Sequence, residues 1–348
     1  MPDSERAGFD LGELGWSAAL ADNLEPGLVP GRVTAAHRAA FDVQTPAEVV
    51  RTRLPGRLVH ENADVAVGDW VGLRDGLIRT VLPRRSAIVR NAAGRADEAQ
   101  TLAANVDVAF VVSSLGPDLE PRRIERYLVA IWESGATPEI VLTKADRLED
   151  PWALVAEVEA VALGVTVHVV SAVTGQGCDA LRVRLQPGTT AVLLGSSGVG
   201  KSTLVNRFAG RELMAVNETR VDDDEGRHTT SHRELILLPG GGVVIDTPGL
   251  RELQLWDGGR GLGETFADVE ELAGECRFND CSHTTEPGCA VLAAAESGEL
   301  APERLRSWRK LQRELRATAI RHDVRLRREE ARRWKHITRE ARTRARHR

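Results

Sequence analysis

The sequence predicts a multidomain protein: an N-terminal β-barrel, a central α/β domain built on a phosphate-binding loop, and a C-terminal metal-binding α segment. Three observations carry this. Between Gly31 and about Arg95, five short β-branched segments are broken by Gly, Pro and Asp. From Asn105 to about Glu252, apolar runs of buried-strand length alternate with helical spacing. Three of the four cysteines then fall within 14 residues, beside a histidine.

Size and composition permit this plan. The 348 residues are 42% hydrophobic and 28% charged, the range of soluble globular proteins with more than one core. No run of 18 apolar residues occurs, so no membrane span is expected. The N-terminus lacks the basic-then-apolar order of a secretory signal. Clustered cysteines point to a metal site in a reducing compartment, hence the cytoplasm.

Taken in order, residues 1–27 show a weak apolar pattern (Leu11, Leu14, Leu20) and read as a short helix or a disordered leader. Residues 28–98 hold the barrel, with strands expected at Gly31–Thr34, Phe41–Val43, Val49–Thr52, Asp69–Leu73 and Leu77–Val81. Residues 31–95 carry 11 Arg against six acids, a surplus compatible with nucleic-acid phosphates. Residues 99–258 form the α/β domain, with buried strands at Val106–Ser113, Ile140–Thr143, Val165–Val170, Thr190–Leu194 and Val243–Asp246. Ile124, Tyr127, Leu128 and Ile131 mark a helix between the first two. Residues 259–302 enclose the cysteines, and 303–348 read as an Arg-rich helix without Gly or Pro. That last stretch holds 18 Lys/Arg against six Asp/Glu, on a chain whose formal net charge is −5. A basic arm on an acidic body suggests a polyanionic partner; a solvated, internally paired helix is the plainer alternative.

The phosphate loop is Gly195-Ser196-Ser197-Gly198-Val199-Gly200-Lys201-Ser202, followed by Thr203. An apolar strand precedes it and a helical pattern (Leu204, Val205, Phe208) follows, which is the context the motif requires. Backbone N–H groups and the helix N-terminus then face the phosphates. Lys201 is expected on the β- and γ-phosphates, and the Ser202 hydroxyl on Mg²⁺. Asp246 ends a strand in Asp246-Thr247-Pro248-Gly249 and can present its carboxylate to the magnesium shell. Thr143-Lys144-Ala145-Asp146 also follows a strand. A carboxylate there accepts both N–H groups on the guanine edge, which adenine lacks, and such sites discriminate by roughly 10⁴-fold. Ser171-Ala172 after the next strand would bring a backbone N–H to guanine O6.

Between loop and carboxylate lies Gly226-Arg227-His228-Thr229-Thr230. Thr230, or else Thr229, would complete the magnesium sphere. Leu250 stands where many GTPases place a water-orienting Gln, and an apolar side chain cannot orient water. His228 is the expected substitute; the alternative is that it only packs or binds phosphate. Cys276, Cys281, His283 and Cys289 form a closed tetrahedral Zn²⁺ set, structural in character, with Pro287-Gly288 turning the last ligand back. Cys178 stands apart and reads as a buried thiol.

The base reader thus precedes the phosphate loop instead of following it, the order of a circularly permuted GTPase. The chain resembles the ribosome small-subunit-dependent GTPase A family of bacteria. Gly68-Asp69-Trp70-Val71, Leu82-Pro83-Arg84-Arg85-Ser86, Asn105-Val106-Asp107, the nucleotide motifs and the Cys/His set with Asp280, Glu286 and Pro287 carry the likeness. It implies an OB-fold domain, a permuted GTPase domain and a zinc domain. It also implies a factor that binds the 30S subunit and 16S rRNA, hydrolyses GTP faster there, and acts late in subunit maturation. We expect a monomer. Thr143 departs from the usual Asn, and the leader and Arg-rich extension are further departures. Two other readings stay open: an RNA-binding checkpoint in which GTP only sets affinity, and a permuted P-loop ATPase or kinase.

Overall fold

A computed structural model of the chain describes residues 9–37, 40–60, 63–92, 95–214, 233–246 and 259–322. They divide into two compact units, one within Met1–Arg90 and Ala99–Leu253, the other within Asn91–Glu98 and Gln254–Arg348.

The first unit opens with a 3-10 turn, Leu11–Leu14, and a one-turn helix α1 (Ala18–Ala21). Asp10 caps the turn by accepting from the Gly12 N–H. Leu11, Leu14 and Leu20 are buried in a cluster with Val67, Trp70, Val192 and Ile245. Over residues 9–27 the leader is therefore packed chain. The Gly188 N–H donates to the Glu13 carbonyl, and a Cβ on Gly15 would lie 2.6 Å from the Gly188 oxygen. Only glycine fits there.

Strands β1 (Val29–Ala36), β2 (Phe41–Gln44) and β3 (Val49–Thr52) precede a short helix α2 (Gly56–His60). With β4 (Trp70–Arg74) and β5 (Leu77–Val81) they match the five expected segments. All pair antiparallel, in the order β3-β2-β1-β4-β5, around Val33, Val43, Leu58, Val71 and Ile78. Two of the family-like motifs meet here: Arg84 donates to both oxygens of the fully buried Asp69 at 2.7 and 2.8 Å. A buried carboxylate is tolerable only with such a bidentate partner. Strands β6 (Ala87–Ala92) and β7 (Arg95–Ala104) form a separate two-stranded sheet that the sequence pattern did not announce.

The α/β part comprises β8 (Val108–Ser114), α3 (Pro121–Ser134), β9 (Thr137–Thr143), α4 (Trp152–Glu159), β10 (Val167–Val169) and α5 (Cys178–Arg184). It continues through β11 (Thr190–Leu194), α6 (Lys201–Ala209), β12 (Arg233–Leu237) and β13 (Val243–Asp246). Strands lie in the order β10-β9-β8-β11-β13-β12, parallel except for β12. The expected helix is α3, which buries Ile124, Tyr127, Leu128 and Ile131. Strand β12 also pairs with β1, matching Glu234 to Ala35 and Arg233 to Ala36. A continuous path of hydrogen bonds thus runs from the α/β sheet into β1 and its antiparallel neighbours.

The second unit contains α7 (Gly259–Thr265), α8 (Ala267–Gly274), α9 (Ala290–Ser297) and α10 (Pro302–His322). The basic segment expected from residue 303 begins as a packed helix, because Leu305, Trp308, Leu311 and Leu315 form a buried stripe at helical spacing. Arg304 on α10 bonds Asp268 and the Thr265 carbonyl, and lies 4.4 Å over the Phe266 ring. Residues 323–348 lie outside the described residues. Among the described residues no helix is long and apolar enough to cross a membrane.

Candidate nucleotide site and metal centre

Parallel strands present their carboxyl ends on one side, and ligands of such sheets bind where the connections diverge. Here that divergence falls between β8 and β11, because β9 and β10 follow on one flank and β13 on the other. A cavity of about 510 Å³ opens there, lined by the end of β8, Arg123, Lys144 and Ser196–Val199.

The loop from β11 to α6 is shaped by its glycines. Gly195 has φ 148°, and a Cβ there would lie 2.1 Å from the Val112 carbonyl oxygen. Gly200 caps α6 at φ 100°. Lys201 folds back along the loop, its Nζ donating to the Gly195 carbonyl at 2.8 Å and to that of Ser196 at 2.6 Å. Burial pushes the Lys201 ammonium down from its ordinary value, while the Asp246 carboxylate opposes the shift. Lys201 and Asp246, expected to share the phosphate–magnesium site, are therefore close enough to couple electrostatically. Ser202 and Thr203 open α6, part-exposed. The loop is otherwise framed by Arg123 of α3, whose guanidinium donates to the Ser196 hydroxyl at 3.1 Å and to Glu120 at 2.6 Å.

Thr143 closes β9 next to the phosphate loop. Its side chain is buried, and its hydroxyl approaches the carbonyls of Val199 and Ser113. It ties the end of β9 to the phosphate loop. Lys144 follows in the left-handed region (φ 61°), which turns the chain so that Ala145 is buried and Asp146 is exposed. The Ala145 N–H donates to the Val170 carbonyl, which brings the Asp146 turn beside Ser171-Ala172. Ser171 is fully buried and accepts from the Thr174 N–H through its hydroxyl at 3.2 Å. Residues 143–146, the loop, Ser171-Ala172 and Asp246 thus gather at the carboxyl edge of one sheet. His228, Thr229, Thr230 and Thr247–Gly249 lie outside the described residues. Sequence reasoning missed Arg123, which no motif marks; only the fold brings α3 to the loop. Cys178 is a buried thiol raised by burial, as its isolation suggested.

In the second unit the donor atoms of Cys276, Cys281, His283 and Cys289 all lie within 4.8 Å of one another. His283 Nδ1 is 3.5 Å from Cys276 Sγ and 3.4 Å from Cys289 Sγ, and the two sulfurs are 3.8 Å apart. A tetrahedron with Zn–S near ~2.3 Å and Zn–N near ~2.0 Å has edges of about this size. The cysteines are free thiols, and burial keeps His283 below its ordinary value, hence a neutral ligand. Burial opposes the Cys276 thiolate, but hydrogen bonds from the Val291 and Ala290 N–H groups at the start of α9 and from Cys289 and Cys281 together lower its pKa. The set therefore fits a divalent, thiolate-binding metal. Glu286 fixes the ligand loop by accepting from the Ser282 hydroxyl and from the N–H groups of Thr284 and Thr285. From α10, Trp308 meets the His283 ring edge-on at 5.5 Å, and Arg309 donates to the His283 carbonyl.

Comparison with known proteins follows the same lines. The family model described as RsgA GTPase matches residues 81–256. The chain is 48% identical over 328 residues to a small ribosomal subunit biogenesis GTPase RsgA of Streptomyces avermitilis, covering 92% of this chain and 88% of that protein. A protein of the same name from Methanosarcina acetivorans is 41% identical over 332 residues, covering 93% and 90%. Of solved structures, YjeQ from Thermotoga maritima is similar at 28% identity with a TM-score of 0.61, over 82% of this chain and 98% of that one. YloQ, described as a circularly permuted GTPase, shares the fold at 24% identity and a TM-score of 0.59, over 84% and 96%.

Proposed function

The chain belongs to the RsgA GTPase family, and from that premise we propose that it binds the 30S ribosomal subunit, acts late in its maturation, and hydrolyses GTP with stimulation by the subunit. It is a GTPase, and the products are GDP and phosphate. The observation that supports this reading best is the Thr143 tie, which joins the strand before Asp146 to the phosphate loop although the two motifs stand in rotated order. A sheet that assembles both motifs on one edge has the parts a guanine nucleotide needs.

In this reading Gly195–Thr203 wraps the phosphates and Lys201 holds the β- and γ-oxygens. Asp146 reads guanine, Lys144 lies along the base, and Ser171-Ala172 offers backbone N–H to O6. Thr143 and Ala145 hold that turn in place. Ser202, Asp246 and Thr230 hold Mg²⁺, which when bound neutralises developing phosphate charge. His228 positions the attacking water. One structural Zn²⁺ is held by Cys276, Cys281, His283 and Cys289. Residues 28–98 serve as an OB-fold contact to 16S rRNA, the basic residues beyond 303 add salt-sensitive RNA affinity, and the protein works as a cytoplasmic monomer.

The test is phosphate release from GTP and from ATP, each with and without purified 30S subunits. Stimulation of GTP turnover alone is expected, abolished in Lys201→Ala. Equal use of ATP, or no response to 30S, overturns the reading.

A further inference from the structure

Arg90 on β6 and Gln100 on β7 face a third residue, Arg233, which begins β12. Arg90 Nη2 donates to Gln100 Oε1 at 3.4 Å, and Arg233 Nη2 donates to the same oxygen at 3.3 Å. Two guanidinium groups therefore converge on one neutral acceptor, through long bonds. Among the described residues, the buried Nε–H of Arg90 has no hydrogen-bond partner. Burial, then the charge of Arg90, push the Arg233 guanidinium down from its ordinary value. The described carboxylate that opposes this shift is Asp64, and Asp64 is already taken by Arg84 and by the Thr101 hydroxyl.

Like charges held together in a half-buried place raise the energy of the fold unless something negative joins them. The planar, multi-donor fork of arginine suits an oxyanion, which would also meet the orphaned N–H. The place matters too. Arg233 pairs with Ala36 of the arginine-rich barrel segment, and its neighbour Glu234 lies opposite Asp246 across β12 and β13. This spot is distinct from the phosphate loop, which follows β11.

We propose that Arg90 and Arg233, bridged by Gln100, form an anion site that takes one backbone phosphate of RNA, read as charge and not as sequence. The RNA assignment rests on the reading of this chain as a ribosome-binding GTPase. RNA is favoured over a free anion because Arg90 belongs to a segment with surplus arginine, 11 Arg against six acids over residues 31–95.

Gln100→Glu is the informative variant. It keeps both arginines and gives them a carboxylate of their own, so the fold is stabilised while the anion is displaced. Arg90→Gln/Arg233→Gln removes the site outright. Both are made in the full-length chain, with GDP saturating the phosphate loop and GDP affinity reporting folding. In the first arm, sulfate is the probe: it should raise the melting temperature of the wild type more than that of either variant. In the second arm, 30S binding is followed against salt. Each variant should weaken binding about tenfold near 0.1 M salt, and lower the log–log salt slope by about one, the signature of a lost phosphate contact. Gln100→Glu melting higher with unchanged 30S binding overturns the RNA site. Sulfate responses equal in all three proteins overturn the anion site itself. Wild type that fails to bind 30S refutes the ribosomal reading instead, and leaves the sulfate arm to judge the pair.

Discussion

Around the phosphate loop, Val192, Leu204, Val205 and Phe208 are buried in apolar cores that need no ligand. Around Cys276, four ligand atoms crowd within 4.8 Å of one another, and only short helices and one face of α10 supply apolar cover. The first region builds a scaffold and hangs a site on it. The second has a site in place of much of its scaffold. Substitutions at the two sites should therefore fail differently: function first in one, folding first in the other.

The largest effect expected is loss of the metal. Structural zinc in small domains carries roughly 10–16 kcal/mol of apparent binding energy. Cys289→Ser, or chelation of the wild type, should abolish the unfolding transition of the second unit. GDP binding by the first unit should survive. Differential scanning calorimetry with and without chelator checks this, and a single transition unchanged by metal removal would erase the contrast.

Next comes Trp308→Ala. The ring is buried against His283, and truncating a buried Trp costs about 3–5 kcal/mol. The variant should release zinc to a colorimetric chelator faster than wild type, although Trp308 is not a ligand. Trp308→Phe should largely restore retention.

A smaller effect is expected from Thr143→Val, which keeps the shape and removes the hydroxyl. One hydrogen bond within the fold is worth about 1 kcal/mol, so the melting temperature of the first unit should fall by about 2–4 °C and GDP affinity by at most about fivefold. The preference for guanine over adenine should stay, because Asp146 carries it. A loss of base preference would return Thr143 to the role of a direct base contact.

The smallest effect separates the units by acid. Asp42 accepts from Arg51 and contacts His37, and the Arg51 bond chiefly holds its carboxyl at about 2. A folded pKa below the ordinary ~3.9 stabilises at higher pH, and that contribution disappears as pH falls toward about 2. Arg51 is largely exposed, so the gain is slight. Melting of Asp42→Asn should trail wild type at pH 6 and converge with it in strong acid. The second unit should fail in milder acid, as its thiolates take up protons and release the metal.

Much of this was legible because it is local. The five N-terminal strand segments, β11, β13 and the Cys/His spacing are each written within a few residues, and the structure has all of them. What escaped depends on distant partners. The approach of the Thr143 hydroxyl to the carbonyl of Val199, 56 residues on, is written in no local pattern. The apolar stripe of α10 was hidden among arginines, and three leucines in the leader are too few to announce a docked segment. No periodicity foretells that β12 pairs with β1, two hundred residues earlier. The Arg90–Gln100–Arg233 convergence is illegible for the same reason.

The turn at Gly188 joins α5 to the strand that, in unpermuted order, would begin the domain. Glu13 and Gly15 lie upon it, one by a hydrogen bond and the other by having no side chain. The leader therefore splints a place where an engineer would cut to restore the unpermuted order. A chain reopened there would carry its new ends under a brace, and lengthening that turn by a few residues would pry the brace away.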